Sequence, residues 1–182
     1  MKKTLIFLML AAMISCDDSD DFEPKTNAFG TQIQLEDRDP NALFQRFFVF
    51  FSITDQGEGI DFNGDGNVSF DILEQFPECA RDDSYLFQNQ LFEIKFIGQQ
   101  CDPGVSPLDG LNDYVIGAQD ETGSNFRLII RNTDNLDQRI SMDNLEIFED
   151  ESGMRTIFGE WTSFDPDFVF DVIMTEIEDP NQ

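Results

Sequence analysis

The chain of 182 residues carries 37 acidic against 11 basic side chains, a formal charge of −26, and no histidine. That charge repels nucleic acid and anionic lipid headgroups, which argues against any phosphate-tracking role; it suits divalent cations, basic partners or neutral ligands. Without histidine there is no Ser-His or Cys-His nucleophile, and the commonest zinc ligand is missing.

Lys2 and Lys3 lead into ten apolar residues, Leu5 to Ile14, which end at Ser15-Cys16. A basic start, a short apolar run and a small residue at its end describe a secretory signal. As a helix the run reaches only ~15 Å, about half of a bilayer's hydrocarbon core, so it is not a stable span. Met13-Ile14-Ser15-Cys16 resembles the lipobox of bacterial lipoproteins, in which the cysteine is lipidated and becomes the mature N-terminus. The alternative is a plain signal peptide with an incidental cysteine. Several acyl chains on Cys16 would make the anchoring stable. Next, Ser19-Asp20-Asp21-Phe22-Glu23 resembles the signal by which Bacteroidota, flavobacteria in particular, export lipoproteins to the outer face of the outer membrane. Asp17 beside the cysteine resembles instead the inner-membrane retention signal of proteobacteria, and a solvated acidic tether explains the same run of charge. The expected organisation is a signal peptide over 1–15, a lipidated acidic tether over 16–42, a β-domain over 43–178 and a tail over 179–182. The expected location is the outer membrane, lipid-anchored through Cys16 and facing the cell exterior.

Beyond the tether, with its short edge strand at Thr31 to Leu35, the pattern is almost entirely β. Leu43 to Thr54 is a nearly continuous apolar run, which suggests a strand covered on both sides, with a short helix as the alternative by period alone. Phe47, Val49, Phe51 and Ile53 share one face of it, and Phe44, Phe48 and Phe50 lie near the other. Gly57 to Asp71 reads as a loop, and Ile72 to Phe76 as a helical turn that Pro77 stops. Leu86 to Ile97 reads as one strand with Phe92, Ile94 and Phe96 inward. Gly98 to Asn112 is a long loop, and Tyr114 to Ala118 a short strand. In Asn125 to Arg131, Phe126, Leu128 and Ile130 alternate with Arg127, Ile129 and Arg131. The phase changes inside Arg139 to Glu149, which predicts a bulge or turn at Asp143-Asn144. A hairpin turn at Glu149 to Gly153 then precedes strands at Met154 to Thr162 and Phe168 to Ile177, separated by Asp165-Pro166-Asp167. Seven or eight strands with close turns predict an all-β, antiparallel barrel or sandwich. Twenty phenylalanines against two tyrosines and one tryptophan point to a thick aromatic core more than to a polar aromatic platform.

Two constellations stand out. With Cys16 assigned to lipid, Cys79 and Cys101 remain as a pair in an oxidising compartment, and a bridge across their ~22-residue loop would contribute about 3 kcal/mol in the chain-entropy model. Asp61 to Asp71 matches the D-x-N-x-D-G opening of an EF-hand-type calcium loop. Asp61, Asn63 and Asp65 occupy ligand positions 1, 3 and 5, Gly66 permits the sharp turn, and Asn67, Ser69 and Asp71 complete the candidate set. Hard oxygen ligands select calcium over transition metals. Position 12, however, is Ile72 instead of the usual bidentate Glu, and Asp71 comes one residue early. The expectation is therefore a weak structural calcium ion, with a pair of tight turns as the alternative.

The order DFNGDG, ILEQFPEC, DDSYLF and then a second cysteine, between Asp61 and Cys101, resembles the lipocalin-like lipoproteins of Bacteroidota. The resemblance implies an eight-stranded up-and-down barrel of lipocalin-like form, with a ligand cavity in some members. The family's Gly-x-Trp on the first strand has no counterpart in Ala42 to Phe48, whereas Gly159-Glu160-Trp161 lies near the end of the chain. A β-sandwich is the alternative fold. The expected function is that of a non-enzymatic surface lipoprotein with a ligand- or partner-binding domain. A calcium-stiffened carbohydrate-binding or adhesion module is the runner-up. Asp165 and Asp167 are the kind of carboxylate pair a hydrolase uses, but such pairs are inevitable among 37 acids.

Overall fold

The computed structural model describes residues 22–39, 41–95, 100–102, 106, 108–162 and 169–180. Cys16, Ser19, Asp20, Asp21, Phe96 and Asp165 to Asp167 lie outside them. Ten strands are described: β1 (Thr26–Asn27), β2 (Gly30–Gln32), β3 (Arg46–Asp55), β4 (Ser84–Gln88), β5 (Leu91–Lys95), β6 (Asp113–Ala118), β7 (Phe126–Arg131), β8 (Arg139–Glu149), β9 (Arg155–Trp161) and β10 (Phe170–Ile177). From β3 to β10 each strand pairs antiparallel with the next, and β10 returns to β3. The result is a closed, eight-stranded, up-and-down barrel, which sets aside the sandwich. Its only described α-helix is the single turn α1 (Glu78–Arg81), with a 3-10 turn at Leu73–Gln75 before it.

Alternation puts the large side chains inside. Phe48, Phe87, Phe92, Ile116, Leu128, Met142, Ile157 and Val172 are all essentially inaccessible. Tyr85 stacks on Phe92 with ring centroids 5.7 Å apart, and Phe87 meets Phe48 and Tyr114 edge-on. Trp161 stacks on Phe50 at 5.7 Å. The interior is a solid aromatic and aliphatic core, which burial of this much apolar area stabilises.

Three local features depart from simple alternation. In β3 the register against β10 shifts at Ile173/Met174, so Phe51 is an extra residue that bulges outward, 60% exposed, and Ile53 turns inward. Ile53 therefore does not share the face of Phe47 and Val49, because a bulge reverses the phase of everything after it. The expected strand Leu86 to Ile97 is a hairpin, β4 and β5, joined at Asn89-Gln90 with φ of 46° and 70°. Both central residues are left-handed, as a type I′ hairpin turn requires, without the glycine that usually marks the second position. The bulge expected at Asp143-Asn144 is present, with Asn144 at φ 52° and a register shift against β9.

Part of the stretch expected as tether packs on the barrel. β2 pairs with the end of β8, and Arg38 N–H donates to the Ile116 carbonyl at 2.9 Å. Leu35, Ala42 and Leu43 are buried. This segment crosses the barrel end that carries the β4–β5, β6–β7 and β8–β9 hairpins. There Arg46 pairs with Glu176 at 2.5 Å and donates to the Gly153 carbonyl at 3.0 Å. Arg155 bonds Glu149 at 2.8 Å and the Ala42 carbonyl. Each partly buried charge at this end has a partner, and removing one leaves the other uncompensated. Arg46→Ala is expected to cost about 3 kcal/mol, read as a lowered urea midpoint at unchanged slope.

Candidate functional site

The other end of the barrel is covered by the β3–β4 connection. Asp55, buried at the end of β3, accepts the Gly57 and Gly59 N–H groups at 3.1 and 2.8 Å. Gln75 is also buried; its Oε1 accepts the Phe62 N–H at 2.6 Å and its Nε2 donates to the Ile60 carbonyl at 2.9 Å. Phe62 stacks on Phe76, with ring centroids 5.6 Å apart, and meets Phe170 edge-on. The loop is thus a lid, held by one amide side chain and two phenyl rings. A disulfide joins Cys79 on α1 to Cys101, as the cysteine count predicts, and ties this segment to the β5–β6 connection.

Within the lid, the calcium-type residues organise the backbone. Asp61 accepts the Asp65 and Gly66 N–H groups at 2.9 and 2.8 Å, one on each oxygen. Asp65 accepts the Asn67 N–H at 2.8 Å, and that bond holds its carboxyl below the usual range. Gly66 has φ 89°, the conformation that the sharp turn demands. Ser69 accepts the Asp71 N–H, and Asp71 in turn accepts the Glu74 N–H at 3.1 Å, which commits it to the 3-10 turn. Ile72, at the twelfth position, is buried in the core. Among the described residues no three acidic, cysteine or histidine side chains converge as a metal cage. Carboxylate oxygens with one N–H bond keep a lone pair. Asp61, Asp65 and Asp71 each therefore keep acceptor capacity for a cation, with amide and carbonyl oxygens beside them, and such a set without the bidentate Glu binds weakly.

A different concavity lies on the outer wall, a groove of about 550 Å³ across β8, β9 and β10. Its floor includes Phe158, which packs edge-on against Phe29 and Phe148 at 5.2 and 5.3 Å. Glu146, Glu160 and Asp171 line it, and Asp143 lies just outside it on β8. Asp143 stands opposite Glu160, and Glu160 opposite Asp171, in the cross-strand register. Like charges so placed repel, and neighbours partly offset this. Asn144 Nδ2 donates to Glu160 at 2.7 Å, Gln56 Nε2 to Asp171 at 2.6 Å, and Arg127 lies 3.5 Å from Asp143. Gln32 Nε2 donates to Glu146 at 3.3 Å, and Lys25 pairs with that same carboxylate. A smaller cleft of about 320 Å³ adjoins the groove and is lined in part by Phe22 from the expected export signal; Glu23 beside it is exposed. No motif announces this groove, because its walls come from three consecutive strands whose relative register, and not any short stretch, sets which residues share the outer face.

Comparison with family models, curated proteins and solved structures finds no match to this chain. The fold is lipocalin-like in shape, and no family is identified for it.

Proposed function

We propose that the chain is a non-enzymatic lipoprotein, anchored through Cys16 at the outer membrane and facing the exterior, whose barrel binds a ligand or partner on its outer wall. The carrying observation is the pairing of a filled interior with an acceptor-rich groove outside. Phe48, Phe50, Tyr85, Phe87 and Trp161 occupy the space in which a lipocalin-like barrel would hold an apolar ligand. Along the groove, carboxylates and amide oxygens surround a phenyl ring; among the described residues no lysine or arginine lines it, and Lys25 reaches only Glu146. That chemistry supports a neutral or cationic ligand rich in hydrogen-bond donors, and disfavours an anion or nucleic acid.

The anchoring rests on the apolar run ending at Cys16. Cys16→Ala should leave the protein soluble after cell fractionation, and a variant that stays with membranes at unchanged mass would refute it. For the outer-wall reading, a fluorescent fatty acid should show no saturable one-to-one uptake and no change in Trp161 emission. Saturable uptake with quenching would place the site inside the barrel after all.

Calcium is proposed only as a weak stiffener of the lid, through Asp61, Asn63, Asp65 and the Asn67 carbonyl. At a free concentration ~100 times its dissociation constant the gain is ~2.7 kcal/mol. Calcium should then raise the melting temperature by several degrees where magnesium does not, and Asp65→Ala should abolish the rise. An unchanged melting temperature with EDTA, at millimolar calcium, leaves the loop as self-capped turns.

A further inference from the structure

Asp83 lies between α1 and β4 and is 1% exposed. Neither of its carboxylate oxygens has a hydrogen-bond partner. The contrast with the rest of the molecule is sharp. Asp55 and Gln75, buried in the same end of the barrel, are satisfied by backbone groups. Arg46, Glu149, Arg155 and Glu176 neutralise one another at the far end. An ionised carboxylate without donors is among the costliest groups to bury.

The surroundings give it no relief. Asp82 beside it carries like charge, and Tyr85 two residues on is itself buried, its phenol held protonated by burial and by the nearness of Asp83. The other charged side chains on the flanking elements are engaged elsewhere or open to solvent. Lys95, at the end of β5 opposite Ser84, pairs with Glu93. Glu78 and Arg81 on α1, and Asp102 beyond the disulfide, are exposed, and Asp109 in the same connection makes its own contacts. Burial, and secondarily the charge of Asp82, raise the Asp83 carboxyl from its ordinary 3.8 to about 6.

We propose that Asp83 is a pH-sensitive latch on the lid end of the barrel. Protonated, it lets the segment Pro77–Asp83 seat over the aromatic mouth formed by Phe50, Phe76 and Tyr85. Ionised, it drives that segment outward until the carboxylate reaches water. The covalent link from Cys79 to Cys101 limits the excursion to a hinged opening and keeps the segment from detaching. The rings at the mouth, Phe50 to Tyr85 at 5.0 Å and Phe50 to Phe76 at 6.2 Å, are what such an opening would uncover.

The direction in pH follows from linkage. The closed state holds its proton more tightly than the open state, so closing is favoured in full below the open-state value of 3.8. That advantage is lost as pH rises from there to about 6, and it changes little above. Across this window the opening equilibrium should rise roughly 100-fold.

Hydrogen exchange of the full chain, followed by mass spectrometry, tests this when wild type and Asp83→Asn are compared at each pH, because intrinsic exchange rates then cancel. In peptides spanning residues 76–88, wild type should exchange at the variant's rate near pH 4 and roughly 100-fold faster above pH 6. Peptides from β7 should show no difference at either pH. Asp82→Asn, which removes the adjacent like charge, should give a smaller rise than wild type and serves where Asp83→Asn fails to fold. Equal exchange of wild type and Asp83→Asn at pH 7 would overturn the latch. So would an equal acceleration in β7, which would mean loss of global stability, or an Asp82→Asn profile identical to wild type.

Discussion

The return of β10 to β3 is the pairing on which the rest of the structure depends. It runs from Phe170 opposite Asp55 to Ile177 opposite Phe47 and joins strands more than a hundred residues apart in the chain. Without it Phe48, Phe50, Met174 and Val172 would lie on an open apolar face with two unpaired edges. With it they line a closed interior whose apolar burial offsets the entropy of ordering so distant a contact. Closure also decides where recognition is possible. Once Trp161 stacks on Phe50, and Tyr85 on Phe92, the barrel axis is occupied, and the polar concavities left are on the wall and at the ends.

The two ends differ in how they treat charge. At the hairpin end, the half-buried arginines and glutamates are mutually satisfied, and Arg155 binds the incoming N-terminal segment through the Asn41 and Ala42 carbonyls. At the lid end, the backbone is satisfied by Asp55 and Gln75, but one carboxylate, Asp83, is buried without a donor. A satisfied buried network rigidifies, whereas an orphaned charge stores free energy that solvent exposure releases. The barrel therefore has one firm end and one end whose closure depends on a proton. The outer wall has its own tension, since Asp143, Glu160 and Asp171 face one another across three strands, their repulsion offset by amides, the Ser141 hydroxyl and one arginine.

Much of the architecture could be read from particular residues. The strict alternation of Phe126, Leu128 and Ile130 gave β7 with its inward face, and the broken phase between Met142 and Leu145 gave the bulge in β8. Asp150, whose carboxyl is held below its usual range by the Ser152 hydroxyl and by backbone N–H groups, marks the hairpin between β8 and β9 as the run of acids and Gly153 implied. The β4–β5 turn was hidden because Asn89-Gln90 lacks glycine, and the bulge at Phe51 because a run of phenylalanines has no visible phase.

What the sequence determined by itself is local: where strands alternate, where turns must fall, and which cysteines remain to pair. These follow from side-chain periodicity and backbone preference within a few residues. Tertiary structure alone decided that the sheet closes into a barrel and that its interior is full. It also aligned three acids on three neighbouring strands and left Asp83 buried at the lid end without a partner. Those outcomes depend on register between distant segments and on the volume they enclose, and neither quantity is carried by any short stretch of chain.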